Sequence, residues 1–469
     1  MNRQPYCKPP QWWEPKLHPL WVRLSRSYRW RQLRVGQQIV ELDCQNADLM
    51  KRAVDAGKGV LITPNHSAHY DSAAVYVAAD RVDQPLYFMT AWQVFAMSSS
   101  FEKWAMQRLG CFSIDREGND RQAFKQAIQV LQKEPHPLVI FPEGDIYHTA
   151  DYVTPFREGA VAIAMSAAKR AERPVEIFPC GVKFWYVDDP TDHLLELTAR
   201  LEDRLYLRTG TKMSLPERIH RLAEAALALK ELDYFGYTEK GRVRDRIQGL
   251  IEHILVRMER RHGLLSPANT PERVKTLRQN IIEDASNRSA HNKTAHNKTA
   301  HNKTAHNKTA DNKQDDNKQG DRGEQAAANT LASADARETQ ASAETVPASE
   351  TVPASEAAAE ILSQTENSTF ESEMTDLFFV MQLYSYRGDY LLGEPSIERI
   401  AETLDKFEED ILGLDLPTIR GRRRVAMKFG DPIAIPSGKQ PREKIAQTTV
   451  ELQHAVQTLI DELNQQNRK

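Results

Sequence analysis

The sequence has few cysteines, little net charge and no long apolar run, and each shortage excludes a class of protein. Its four cysteines, at positions 7, 44, 111 and 180, are too widely spaced for a metal motif or a disulfide framework. A net charge of -3 gives no sign of a nucleic-acid-binding protein. No stretch reaches the ~18 consecutive apolar residues of a spanning helix, and the Met1 end lacks the apolar core of a signal peptide. We therefore expect a cytoplasmic protein without a transmembrane helix.

The mean hydropathy of -0.59 is low for a globular enzyme, and one polar segment accounts for much of it. Between Ala290 and Thr309 the sequence Ala-His-Asn-Lys-Thr occurs four times in tandem. Such a composition buries too little apolar surface to offset the entropy of ordering, so residues 286–373 are predicted to be a disordered low-complexity linker. The repeats carry four histidines that could bind metal weakly: His291, His296, His301 and His306.

Residues 1–58 combine tryptophan with positive charge. Four of the seven tryptophans lie here, at positions 12, 13, 21 and 30, and residues 1–40 hold eight basic residues and one acid, a net charge of +7. Indole rings and cations suit the interface of an anionic membrane. We predict a peripheral membrane-surface segment, with a packed helix carrying a solvated basic face as the alternative.

The most informative stretch runs from Gly59 to Asp71. Gly59 to Thr63 is a short apolar run that predicts a buried strand, and Asp71 begins a small-residue helix. Asn65, His66 and Asp71 therefore lie where a strand meets a helix, at the edge of a sheet where open α/β folds place chemistry. With Asp71 on one nitrogen of His66, the other nitrogen could act as a base. The alternative is that both residues merely cap the helix.

Strands and helices are predicted to alternate after this stretch. Strands are predicted at residues 85–90, 110–116, 138–144 and 174–181, and helices at 92–109 and 120–133. This alternation implies an α/β fold with a mostly parallel sheet covered by helices. Arg116 and Glu143-Gly144 end two of the strands, where a guanidinium would suit a phosphate.

Four motifs follow one another along this region: Asn65-His66 with Asp71, Gly110 to Arg116, Phe141-Pro-Glu-Gly144, and a Pro-x-x-Ile-x-Pro strand from Pro174. Together they resemble the phospholipid/glycerol acyltransferase family, which includes the lysophosphatidic acid acyltransferases. The resemblance covers about residues 55–187, and we take residues 59–187 as the core.

The resemblance implies a role for each matched residue. His66 would be the general base and Asp71 its orienting partner. Arg116 would bind the phosphate of the acceptor, and Asn65, Glu143 and Gly144 would help to form the acceptor site. An acyl-CoA or acyl carrier protein thioester would donate the acyl group to a lysophospholipid or glycerol-phosphate acceptor, without a bound cofactor, a metal or nucleic acid.

The rest of the chain extends this core. Residues 188–285 read as a helical insertion, with helices predicted at 192–207, 216–232, 243–262 and 271–284. Residues 374–469 would complete the domain. A strand at 422–433 resembles the strand that closes the family's sheet, and a helix over 442–465 would follow it.

Three other functions stay open at this point. A transacylase would take its acyl group from a phospholipid and use the same His66 and Asp71. A metal-dependent hydrolase would use His66, His69 and Asp71, with His148 as a third imidazole. A non-catalytic lipid-binding scaffold would use the helical insertion to hold a partner.

Overall fold

A computed structural model describes residues 11–116, 118, 120–169, 172–264, 268–287 and 354–468, with the side chains of 354–368 left out. The chain divides into two units, of which the first comprises Met1–Gln279 and Thr375–Lys469. The second, Asn280–Met374, contains the end of one described helix and the beginning of another. The sheet and the candidate site lie in the first unit. The predicted linker falls mostly at 288–353, outside the described residues.

One sheet of eight strands organises the first unit, and it confirms the predicted α/β class. Its strand order is β1-β7-β6-β2-β5-β3-β4, with β8 beside β6. The strands are β1 (Ile39–Gln45), β2 (Gly59–Pro64), β3 (Tyr87–Ala91), β4 (Cys111–Ile114), β5 (Leu138–Val139), β6 (Val175–Tyr186), β7 (Arg423–Phe429) and β8 (Ile433–Ile435).

The sheet is mostly parallel because helices carry the chain back between strands. Strand β2 pairs in parallel with both β5 and β6, and β3 pairs in parallel with β4 and β5. Strand β7 comes from the C-terminal part of the chain and is parallel to β1 but antiparallel to β6. A strand that follows the insertion therefore lies within the sheet, between β1 and β6. The carboxyl ends of β2 to β5 share one edge.

Helices cover both faces of the sheet and form the insertion. They are α1 (Pro19–Leu24), α2 (Arg26–Arg31), α3 (Ala47–Asp55), α4 (Asp71–Asp80), α5 (Trp92–Met97), α6 (Ser100–Arg108), α7 (Arg121–Lys133), α8 (Gly159–Ala168), α9 (Thr191–Arg204), α10 (Leu215–Phe235), α11 (Val243–Arg261), α12 (270–287), α13 (Ala354–Tyr384), α14 (Ile397–Leu412) and α15 (Arg442–Asn467). A single π-helical turn, Gln32–Gly36, follows α2.

Local sequence explains why these helices form where they do. Helix α7 begins after Asp120, whose side chain accepts hydrogen bonds from the N–H groups of Gln122 and Ala123. Helices α4 and α8 are rich in alanine and valine and are buried almost all round. Small side chains let these two helices lie close to the sheet, so the two main core clusters form on its opposite faces.

The structure corrects three expectations about the elements. The helix predicted over 92–109 is two helices, because Ser99 and Glu102 form a capping box that starts α6. Strand β1 belongs to the sheet, although its residues were assigned to the N-terminal membrane-surface segment. Residues 369–373, which the sequence placed at the end of the disordered linker, lie within helix α13.

The N-terminal segment packs on helices α5 and α6 and binds the end of α4. Trp13 is buried and stacks on Phe95 with ring centroids 5.3 Å apart, and Trp21 meets Trp104 edge-on at 4.9 Å. Much of the basic character is paired: Arg23 and Arg26 bind Asp83, and Arg29 binds Asp80. None of the helices in the described ranges is long and apolar enough to cross a bilayer.

Candidate functional site

The loop between β2 and α4 brings His66 and Asp71 into direct contact. His66 Nδ1 lies 3.0 Å from Asp71 Oδ2, and the imidazole is partly exposed while the carboxylate is fully buried. An ionised carboxylate can only accept, so Nδ1 carries the proton that joins the two side chains. The lone pair then lies on Nε2, which is the state a general base needs.

Asp71 also shapes the loop that carries His66. Its Oδ2 accepts hydrogen bonds from the N–H groups of Ser67 at 2.6 Å and Ala68 at 2.8 Å. One oxygen thus holds three donors from residues 66–68. The other oxygen, Oδ1, is buried and makes no hydrogen bond to any described residue. Asp71 therefore orients the imidazole and folds the backbone beneath it.

Asn65 anchors the start of the same loop to the sheet. Its amide is buried, donates to the carbonyl of Val182 at 3.0 Å and accepts from the N–H of Val182 at 2.7 Å. Both polar ends of the side chain are therefore used by strand β6. On the other side of the loop the His66 ring stacks on Phe141, with ring centroids 4.2 Å apart. The loop is therefore fixed to β6 by Asn65, and the imidazole is packed on one face by Phe141.

Glu143 joins the His66 loop to the segment after β5. Its Oε1 accepts from the N–H of His66 at 2.6 Å, and its Oε2 accepts from the N–H of Thr154 at 3.0 Å. Burial raises the pKa of Glu143 to about 8, although the two backbone hydrogen bonds lower it. Since backbone N–H groups occupy both oxygens, the direct structural effect of Glu143 is to position His66.

Two guanidinium groups converge on Gly144, next to Glu143. Arg116 Nη1 donates to the Gly144 carbonyl at 2.5 Å and lies 3.9 Å from Asp145. Gly144 has φ +77°, a conformation that favours glycine, and a Cβ there would lie 2.6 Å from Arg157 Nε, so Arg157 would have to move away. Sequence reasoning missed Arg157. The available signal was its place in Phe156-Arg157, just before the N-terminus of α8.

His69 and His148 form a separate group from His66. His69 Nε2 lies 2.8 Å from Glu409 Oε1, and His148 Nε2 lies 3.2 Å from the same oxygen. Burial alone would raise the pKa of Glu409, but the two imidazoles hold the pKa of this carboxyl well below its usual range. The metal set proposed from sequence, His66 with His69 and Asp71, is therefore divided between two carboxylates. No feature of the sequence near Glu409 pointed to its contact with His69.

A cavity of about 280 Å³ lies beside the segment that follows β5. Tyr147, Tyr152 and Thr154 form one wall, and helix α11 and residues 383–389 form the other. Thr154 is also the residue whose N–H binds Glu143. The helical insertion thus contributes to the surroundings of the candidate site.

A family model matches part of the chain. Residues 42–183 match the family model described as Acyltransferase, a range that contains β1 residues from Leu42 onward and ends within β6. No curated protein matches the chain. The matched range includes His66, Asp71, Arg116 and Glu143, and it confirms the resemblance seen in the sequence.

Proposed function

Because the chain carries an acyltransferase domain of the phospholipid/glycerol acyltransferase family, we propose that it moves a fatty acyl group to the hydroxyl of a glycerol-phosphate-type lipid. The observation that carries this proposal is the hydrogen-bonded pair of His66 and Asp71 at the end of a central strand. The acyl donor would be a thioester of CoA or of acyl carrier protein.

The chemistry follows from the His66–Asp71 pair. A lipid hydroxyl is a weak nucleophile at neutral pH, so a positioned base is needed to take its proton. His66 Nε2 would accept this proton as the oxygen attacks the thioester carbonyl. The new oxygen–carbon bond would form, the carbon–sulfur bond would break, and the imidazolium would return the proton to the departing thiolate. Asp71 would stabilise the imidazolium in the meantime.

The acceptor's phosphate would bind beside Gly144. Arg116 and Arg157 both approach this glycine, so two guanidinium groups lie at one turn of the backbone. A planar guanidinium matches two oxygens of a phosphate, and two of them would offset its double charge. This pairing favours an acceptor that carries a phosphate over a neutral alcohol.

We also propose that the protein works at a membrane surface. Helices α1, α5 and α6 expose a patch of large apolar side chains: Leu20, Leu24, Met97, Phe101 and Trp104. Backbone hydrogen bonds of Lys16 and His18 to Gln107 and Arg108 hold the start of α1 against the end of α6. Because Asp80 and Asp83 pair with three arginines of the N-terminal segment, we assign most of the membrane affinity to this apolar patch.

The test is an acyl-transfer assay with the full chain. Purified protein is given labelled acyl-CoA or acyl carrier protein with glycerol 3-phosphate and a panel of lysophospholipids, and the acylated product is measured. We expect product with a phosphate-bearing acceptor and its loss in His66→Ala. His220→Ala, which removes an exposed imidazole, is the control.

Three other outcomes would contradict this proposal. Product formed from phospholipid in the absence of any thioester would make the protein a transacylase with the same base. Full activity of His66→Ala would remove the imidazole from the chemistry altogether. A protein that binds lipid but forms no product with any donor would support the scaffold.

A further inference from the structure

We propose that His69, His148 and Glu409 form a binding site for a divalent transition-metal ion, with Zn²⁺ as the best fit. The ligating atoms of these three residues all lie within 4.8 Å of one another. They come from three distant parts of the chain: the catalytic loop, the loop after β5, and helix α14. The inference does not depend on the proposed acyl transfer.

The donor set and its spacing suit zinc. Two imidazole nitrogens and one carboxylate oxygen form a common three-residue zinc site, with a fourth position left for water. Tetrahedral ligands on bonds of roughly 2.1 Å would stand about 3.4 Å apart. The two nitrogens lie 2.8 and 3.2 Å from Glu409 Oε1, so a small outward movement of each side chain would admit the ion.

His148 is the most deeply buried imidazole of the group. Its side chain is 3% exposed, and its Nε2 faces Glu409 Oε1 at 3.2 Å without a well-aligned hydrogen bond among the described residues. A buried imidazole nitrogen that faces a carboxylate oxygen is a position at which the two atoms can share a metal ion. A metal ion between His148 and Glu409 would satisfy the lone pair of that nitrogen.

The backbone conformation of His148 also suggests that its side chain is held in a defined position. His148 has φ +50°, in the left-handed region that non-glycine residues rarely adopt. Such strain persists where the surrounding structure requires it, and strained residues are frequent at ligand-binding sites. Here it holds the imidazole against Glu409. His69, with a side chain 19% exposed, leaves a route by which an ion could enter.

A metal ion at this site would stabilise the loop between β2 and α4 that carries His66. His69 lies between His66 and Asp71, so an ion at this site would join the loop that carries the base to helix α14. We assign the ion a positioning role, because His66 contacts Asp71 and the rings of His69 and His148 are directed to Glu409.

Zinc binding at this site must be measured without zinc binding by the histidines of the tandem repeats. The starting protein therefore carries His291, His296, His301 and His306 changed to alanine, in the full chain with a histidine-free tag. It is incubated with Zn²⁺, dialysed, and analysed by mass spectrometry for metal content. We expect about one zinc per chain, with removal by a chelator lowering the midpoint of thermal unfolding.

Single substitutions then locate the site. In the same background His69→Ala, His148→Ala and Glu409→Gln should each weaken zinc binding by about 100-fold, since each removes one of three ligands. His220→Ala, which breaks an exposed His–Glu pair, should bind zinc normally. Glu409→Gln keeps the size of the side chain, so it tests the site even if His148→Ala fails to fold. Zinc absent from the background protein, or retained by His69→Ala and Glu409→Gln, would overturn the proposal.

Discussion

Replacing Asp71 in two ways separates its charge from its hydrogen bonds. In Asp71→Asn the amide oxygen can take the place of Oδ2 and accept from His66 Nδ1, Ser67 N and Ala68 N. Its NH₂ group then occupies the place of Oδ1, which has no hydrogen bond within the described residues. The loop should keep its shape, but the imidazolium formed in the reaction loses its counter-charge.

The size of the effect follows from the short distance between the two groups. Opposite charges about 4 Å apart attract by roughly 4 kcal/mol at an effective dielectric constant of 20. Since each 1.36 kcal/mol is a factor of ten in rate, we expect kcat to fall by about 10²–10³, the lower figure if the amide dipole compensates in part. The acceptor KM should change little, because His66 stays oriented.

Asp71→Ala should behave differently. It leaves two buried backbone N–H groups without their acceptor, at about 1–3 kcal/mol each, so the free energy of unfolding should fall by about 2–6 kcal/mol. Asp48→Asn, an exposed acid in the first turn of α3, is the matched control and should change neither quantity. Steady-state acyl transfer and thermal unfolding of the three variants are the assays. If Asp71→Asn kept wild-type kcat, or lost as much stability as Asp71→Ala, the reasoning would fail.

Three further predictions concern the arginines at Gly144, Glu143 and the exposed apolar patch. Arg157→Ala should raise the KM for a phosphate-bearing acceptor about tenfold or more with a small effect on kcat, as should Arg116→Ala; an unchanged KM in both would remove the phosphate site. Because the pKa of Glu143 is raised to about 8 from an ordinary value near 4.5, the folded state binds the extra proton between these values. The contribution of Glu143 to stability should thus fall as pH rises from about 5 to 8, by up to about 1.4 kcal/mol per unit. Glu143→Gln should lack this slope when unfolding is compared with wild type across that range, and parallel curves would contradict the assignment. Phe101→Glu, on the exposed apolar patch, should weaken sedimentation with anionic vesicles by about tenfold and leave acyl transfer to a short, soluble acceptor unchanged. Equal sedimentation of both proteins would place the membrane contact elsewhere.

The local elements could be predicted because their causes are local. The apolar run at 59–63 and the helical pattern at 120–133 each depend on residues close together in the chain, and the corresponding strand and helix form where expected. The prediction of a single helix over 92–109 was wrong, although its cause is also local. The capping box at Ser99 is a signal for a new helix start, but the apolar residues on both sides favoured one continuous helix.

The contacts of the candidate site also differ in how far apart their residues lie in the chain. His66 and Asp71 are five residues apart, so one loop brings them together and their spacing was enough to predict the contact. Arg157 reaches Gly144 only because the chain after β5 turns back beside its own strand. Glu409 reaches His69 across 340 residues, and no short-range pattern in a sequence carries such a contact.

The sequence by itself determined the α/β alternation, the acyltransferase motifs and the pairing of His66 with Asp71, since periodicity, turn residues and close spacing act over one or two turns of backbone. Only the tertiary structure decided which side chains complete the site. It showed Glu143 binding the His66 backbone, two arginines meeting at one glycine, and a helix beyond the insertion placing Glu409 between two histidines. The contact of Glu409, for example, depends on helix α14 packing against α9 and β6, which is packing among residues far apart in the chain.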